Sequence, residues 1–194
     1  MRILKITALL LVLLPATALA QVENRLRLQG IWSNPTGDLT DEGVTLEADD
    51  AFGARVAWEF LFTPSFGVEI AAATSEHEVT VSGGGVSVDV GDLRVTPVTA
   101  SLLYHFTPGA TADFFVGGGA AYVNYGDVES DGFGTVELDD DFTFTVQAGV
   151  DVSLGGAWGL TGGVQYIDTE AEDEVGDALG IEPVIVSFGA VFRF

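Results

Sequence analysis

The sequence predicts an all-β fold: an eight-stranded antiparallel up-and-down transmembrane β-barrel. Three observations predict it. Eight segments alternate with period two, each near the ~9–11 residues that a tilted strand needs to cross a bilayer. Their connections alternate between short turns and long loops, with the acids gathered in the long ones. On every segment the large apolar and aromatic side chains share one face, opposite Gly, Ala, Ser, Thr, Gln and charge.

The chain has 194 residues, room for one domain. Seven basic and 29 acidic residues give a net charge of −22, yet 47% of residues are hydrophobic, which excludes disorder. No basic stripe exists to follow a phosphate backbone, so nucleic acid is excluded as a partner. The absence of cysteine removes disulfides, thiolate catalysis and cysteine-based zinc sites.

Residues 1–20 read as a cleaved signal peptide: basic Arg2 and Lys5, an apolar run from Ile6 to Leu14, and the small-residue site Ala18-Leu19-Ala20. The run is too short to span a membrane as a helix. Residues 21–194 remain as one barrel domain, with five arginines against all 29 acids. Arg25 to Trp32 is the first strand, placing Leu26, Leu28 and Trp32 opposite Arg25, Arg27 and Gln29. Phe52 to Phe62 and Phe66 to Ala73 follow, joined by Thr63-Pro64-Ser65. Val98 to Phe106 and Phe114 to Tyr122 are joined across residues 107–111. Phe142 to Leu154 and Trp158 to Tyr166 are joined by Gly155-Gly156-Ala157, and Val184 to Phe194 closes the chain.

The long connections, about 33–51, 74–96, 126–141 and 167–183, hold 24 of the 29 acids. That rim is expected to face outward from the cell and both termini the periplasm. A soluble β-sandwich or lipocalin-like barrel shares the period, but it would pack its large apolar groups inside. Here they face out, and aromatics cluster near the strand ends: Trp58, Phe66, Tyr104 and Trp158 at the short-turn end, Trp32, Phe142 and Tyr166 at the other. Such girdles mark the outer membrane of a Gram-negative bacterium, with its lipid and lipopolysaccharide as surroundings. A charge on the lipid face is expected to cost more than one at inward-facing Thr145.

Inside, Arg27, Arg55, Glu59, Glu69, Asp113, Asp151 and Arg193, with Arg25, form an expected charged plug toward the short turns, because buried charge demands partners. Above it Ile31, Ala71, Ala73, Gly119, Ala121, Ile167 and Ile185 are expected to line an apolar cup. Pro97 gives its ladder no N–H, so a lateral exit beside Ala73 and Pro97 is expected.

Several of these segments carry a resemblance. Gly67-Val68-Glu69-Ile70-Ala71-Ala72-Ala73-Thr74 leading to His77, and Thr96-Pro97 running to Tyr104-His105-Phe106, are similar to strands of the outer-membrane protein W (OmpW) family. The glycine-rich Val116-Gly117-Gly118-Gly119, the stretch Leu138 to Asp151 and the end Phe192-Arg193-Phe194 extend that likeness over most of residues 66–194. The resemblance implies an eight-stranded barrel that admits small hydrophobic molecules. Gly189, Phe192 and Phe194 resemble the C-terminal signal read by the barrel-assembly machinery.

Chemistry is sparse. Ser101, His105 and Asp113 share an interior face but lack any sign of an oxyanion hole, so a structural histidine is expected rather than a triad. His77, between Glu76 and Glu78, reads as a solvated loop residue. Asp127-x-Glu129-x-Asp131-Gly132 starts like a calcium loop, but Leu138 stands where the bidentate Glu belongs. No metal site is expected, although Asp139, Asp140 and Asp141 are the acids best placed to meet divalent cations. The expected function is non-enzymatic and needs no cofactor: passive entry of small hydrophobic solutes through the upper lumen, with lateral release into the membrane. The alternative is a structural or adhesion barrel whose acidic loops bind cations or surface partners.

Overall fold

The computed structural model describes residues 23–36, 39–41, 44–83, 85–126, 128–130, 134–136, 140–172, 178–180 and 183–194. The expected signal peptide lies outside the described residues. Eight long strands make the barrel: β1 (Glu23–Pro35), β2 (Ala51–Thr63), β3 (Phe66–Gly83), β4 (Val86–His105), β5 (Ala112–Tyr125), β6 (Asp141–Gly155), β7 (Trp158–Ile167) and β8 (Pro183–Arg193). Each pairs antiparallel with its chain neighbours, and β8 pairs with β1 from Arg25↔Arg193 to Pro35↔Pro183 to close the ring. Asn24 and Phe194 exchange backbone hydrogen bonds of 2.9 and 3.0 Å, pinning both termini at the short-turn end.

Alternation decides the two faces. Leu28, Val56, Ile70, Leu102, Val146 and Val164 are exposed on the outside, where lipid replaces water as solvent. Trp58, Phe66, Tyr104, Phe114 and Trp158 ring the short-turn end, and Trp32, Phe52, Tyr122 and Phe142 ring the other.

Two strands run further than their apolar pattern predicts. β3 and β4 continue past Ala73 and Val98 into a hairpin that reaches Gly83 and Val86. The period persists there, with Ser75, His77 and Val79 buried while Glu76 and Glu78 are exposed. Beyond the lipid the outward face turns acidic, which in sequence imitates a loop. Shorter hairpins occupy the other long connections: Leu39–Asp41 with Val44–Ala48, Val128–Ser130 with Gly134–Val136, and Glu170–Glu172 with Ala178–Gly180.

Close approach of strands explains two glycines. A Cβ on Gly119 would lie 1.9 Å from the Ala100 carbonyl oxygen, and one on Gly189 would lie 2.0 Å from that of Leu28. Gly119 therefore lets β4 and β5 draw together; it does not line the cup, as the sequence reading expects. Gly119→Phe should prevent stable barrel formation by forcing these strands apart. Its folded fraction, read as heat-modifiable gel mobility in detergent, should collapse. A wild-type folded fraction would contradict this packing.

Candidate functional site

The lumen is stratified, and its lowest layer is a closed charge network. Arg27 donates to Glu59 at 2.7 Å, Glu69 at 2.9 Å and Asp151 at 2.8 Å. Its guanidinium also lies 4.8 Å from the centre of the Phe115 ring. Arg25 bridges Asp113 and Asp151 at 2.9 and 3.1 Å, and Arg55 reaches Glu69 at 2.6 Å. These side chains come from β1, β2, β3, β5 and β6, so the pairs stitch the barrel's walls together. Glu59, Glu69, Asp113 and Asp151 are all buried, as are the three arginines.

Arg193 is not among them. It lies 3.9 Å from Glu23 at the partly exposed short-turn rim. Its place as fourth cation falls to His105, which is fully buried, with Nε2 2.7 Å from Glu59 and Nδ1 2.9 Å from Asp113. Only a ring carrying both protons donates to two carboxylates at once. With both ring protons present, three guanidiniums and this imidazolium balance four carboxylates; Nδ1 also stands 3.2 Å from the Arg25 guanidinium. Ser101 takes no part: its hydroxyl is buried without a partner among the described residues, and Nε2 is already committed to Glu59. The Ser–His–Asp geometry of a triad is not assembled.

An amide and hydroxyl layer lies above. Gln29 accepts from Arg55 at 2.6 Å and donates to Ser187 at 2.9 Å, while Gln147 donates to Glu69 at 2.9 Å. Thr145 is 1% exposed and accepts from Gln165 at 3.0 Å. It is packed too tightly to tolerate the charge that its inward direction alone suggests.

The top layer is the cup. Ile31, Ala73, Ala121, Ile167 and Ile185 join Val79, Leu93, Val95, Val123 and Tyr125 in one buried apolar cluster. Ala71 is buried but lies lower, paired with Ala57 and Thr99, outside that cluster. The cavity is lined by Ile31, Val95, Pro97, Val123, Ile167, Ile185 and a set of polar groups that includes Ser75, His77, Tyr125 and Thr169. Its void is about 10 Å³, room for about one water. His77 is here, buried at 2% exposure, not solvated in a loop as expected. The prolonged β3 carries it inward.

The wall of the cup is interrupted at one place. Pairing of β3 with β4 runs from Phe66↔Tyr104 to Ala72↔Val98 and resumes at Ser75↔Val95. Ala73 and Thr74 thus face Thr96 and Pro97 without ladder partners, at the level of the cavity. Pro97 cannot donate there. The hydroxyls of Thr74 and Thr96 stand 3.5 Å apart across the gap, and above it Arg94 pairs with Glu76 on the outer surface. Outside lies a depression of about 510 Å³ bounded by Phe52, Gly53, Ala54, Thr74, Ser75, Glu76 and Arg94. Ser75 borders both it and the cup.

At the rim, Asp140 accepts from the Tyr122 hydroxyl and from Asn124 at 2.7 Å, and the Tyr122 bond holds its carboxyl below the usual carboxylate range. Asp141 accepts from Thr169 at 2.8 Å. Both carboxylates fasten loop to barrel; Asp139 and the Asp127 and Asp131 of the calcium-like run lie outside the described residues.

The profile of the OmpW family matches residues 17–194. The chain belongs to the OmpW family. This OmpW-family barrel is 26% identical over 189 residues to the uncharacterized outer-membrane protein y4mB of Sinorhizobium fredii, covering 92% of this chain and 82% of that protein. Its fold is similar to that of OprG from Pseudomonas aeruginosa, with TM-score 0.78, 19% identity and coverage of 89% of this chain and 95% of that one. It is similar also to the outer membrane protein W of E. coli, with TM-score 0.54, 21% identity and coverage of 89% and 97%. The protein is an outer-membrane β-barrel, and its exposed apolar belt sits in lipid.

Sequence reasoning misses Val79, Leu93, Val95 and His77 as cup residues because it assigns 74–96 to a loop. Their signal is present: odd-numbered positions from Ala71 through Val79 keep one face, whatever the outer face becomes.

Proposed function

We propose that this barrel passes small hydrophobic molecules from outside into the cup and releases them sideways into the membrane through the β3–β4 gap. The observation that carries this reading is the break in the ladder at Ala73–Thr74 and Thr96–Pro97, level with the apolar cavity and backed by the outer depression. An apolar solute gains ~25 cal/mol per Å² on leaving water, so the cup attracts it. Below, it meets paired charges whose interactions it cannot replace, so passage downward is unfavourable. Pro97 offers no N–H in the gap, so fewer ladder hydrogen bonds oppose widening there than elsewhere along β3 and β4. The process is passive and uses no cofactor.

The test is uptake of a fluorescent hydrocarbon-like probe into lipid vesicles that hold the reconstituted barrel. Ile185→Trp, filling the cup from β8, should reduce the protein-dependent rate at least tenfold, normalised to the fraction that folds as read by gel mobility. Single-channel conductance should be very small in both forms, because the charge network closes the lumen to ions. Unchanged uptake in folded Ile185→Trp would reject the lumen route and favour a loop-based adhesion role.

A further inference from the structure

The cup has apolar walls, but the hydroxyls of Ser75, Tyr125 and Thr169 are wired in one direction. On the β3 side, His77 Nδ1 lies 2.8 Å from the Asp49 carbonyl oxygen. A carbonyl only accepts, so Nδ1 carries the ring proton; this bond assigns the tautomer. In the neutral ring Nε2 is then an acceptor, and Ser75 Oγ, 2.9 Å away, gives its single proton to it. On the opposite side, Thr169 donates to Asp141 at 2.8 Å, which uses its only proton. Tyr125 Oη, 2.6 Å from Thr169 Oγ1, is therefore the donor in that contact. The buried Ser33 also lines the cavity, but the hydroxyls of Ser75, Tyr125 and Thr169 have spent their protons on the wall. What they keep for a guest is lone pairs.

We infer that the cup selects, among small apolar molecules, those that carry a neutral hydrogen-bond donor such as an alcohol or phenol, and disfavours carboxylates of the same size. This rests on the lumen reading above and narrows its substrate class. A hydroxyl that enters the cup loses water as an acceptor and recovers Ser75 Oγ or Tyr125 Oη. A hydrocarbon gains burial only. A carboxylate brings more lone pairs to Ser75 and Tyr125, which have no proton left for it, and carries its negative charge toward Asp141. Ser75 also borders the outer depression, so the same acceptor lies on the way out.

Benzyl alcohol, toluene and benzoate share a ring and nearly one size, and so separate these terms. Each is titrated against the full chain in phospholipid nanodiscs by saturation-transfer NMR, and referred to its own partition into protein-free nanodiscs. Benzyl alcohol should bind five- to tenfold more tightly than toluene on that scale, and benzoate more weakly than either. Ser75→Val removes one hydroxyl and covers His77 Nε2; combined with Tyr125→Phe it should bring benzyl alcohol to the toluene value and leave toluene unchanged. Equal binding of alcohol and toluene to the wild type would overturn the selectivity and leave the lumen reading standing. A preference that survives in the folded double variant would also overturn it. Failure of all three to bind above the Ile185→Trp background would overturn both.

Discussion

Replacing Arg27 with alanine is expected to cost about 3–5 kcal/mol of barrel stability, the range for breaking a buried ion pair from one side. Arg27 is 1% exposed and contacts three carboxylates from three strands, so its loss leaves the floor with one uncompensated negative charge. Each acid keeps one cation: Glu59 His105, Glu69 Arg55 and Asp151 Arg25. The damage is therefore charge imbalance more than total isolation. Arg27→Met with Asp151→Asn restores neutrality and should recover part of the loss. Urea unfolding midpoints in lipid vesicles measure both, and an Arg27→Ala barrel within 1 kcal/mol of wild type would contradict the network.

Val164→Arg should cost ~2–4 kcal/mol, since Val164 is 46% exposed on the lipid side and sits midway along its strand. Val164 pairs with Ala148 and Val186, in a belt without any nearby charge. Thr143→Arg makes a suitable contrast: it lies at the mouth, half-buried, beside Asp168 and the acidic rim. It should change stability by less than about 1 kcal/mol. Folded yields from urea into vesicles, read by gel mobility, compare the two directly. Equal losses would mean that the inside and outside of the wall are wrongly assigned.

The strand count and the lipid face are legible because both are local. In β6, Phe142, Phe144, Val146, Val150 and Val152 fall on one side whatever the rest of the chain does. The same period places Arg27, Arg55, Glu59, Glu69, Asp113 and Asp151 inside before any partner is known. Where the reading fails, the missing information is nonlocal. Arg193 points inward as they do, but β8 ends at the rim, where among the described residues its ion pair is with Glu23. Gly119 faces the lumen by parity, yet β4 approaches so closely that a side chain there meets backbone.

By itself, then, the sequence determined an outer-membrane barrel of eight strands with charge within, apolar surface without and acids on one rim. Only the tertiary structure decided that His105 joins the charge network, that His77 enters the cup and that β3–β4 pairing lapses over two residue pairs beside Pro97. The reason is geometric. Parity assigns a face within one strand, but which side chains meet across the lumen depends on the tilt and stagger of all eight strands together. A ladder break is likewise a relation between two strands, and neither carries it alone.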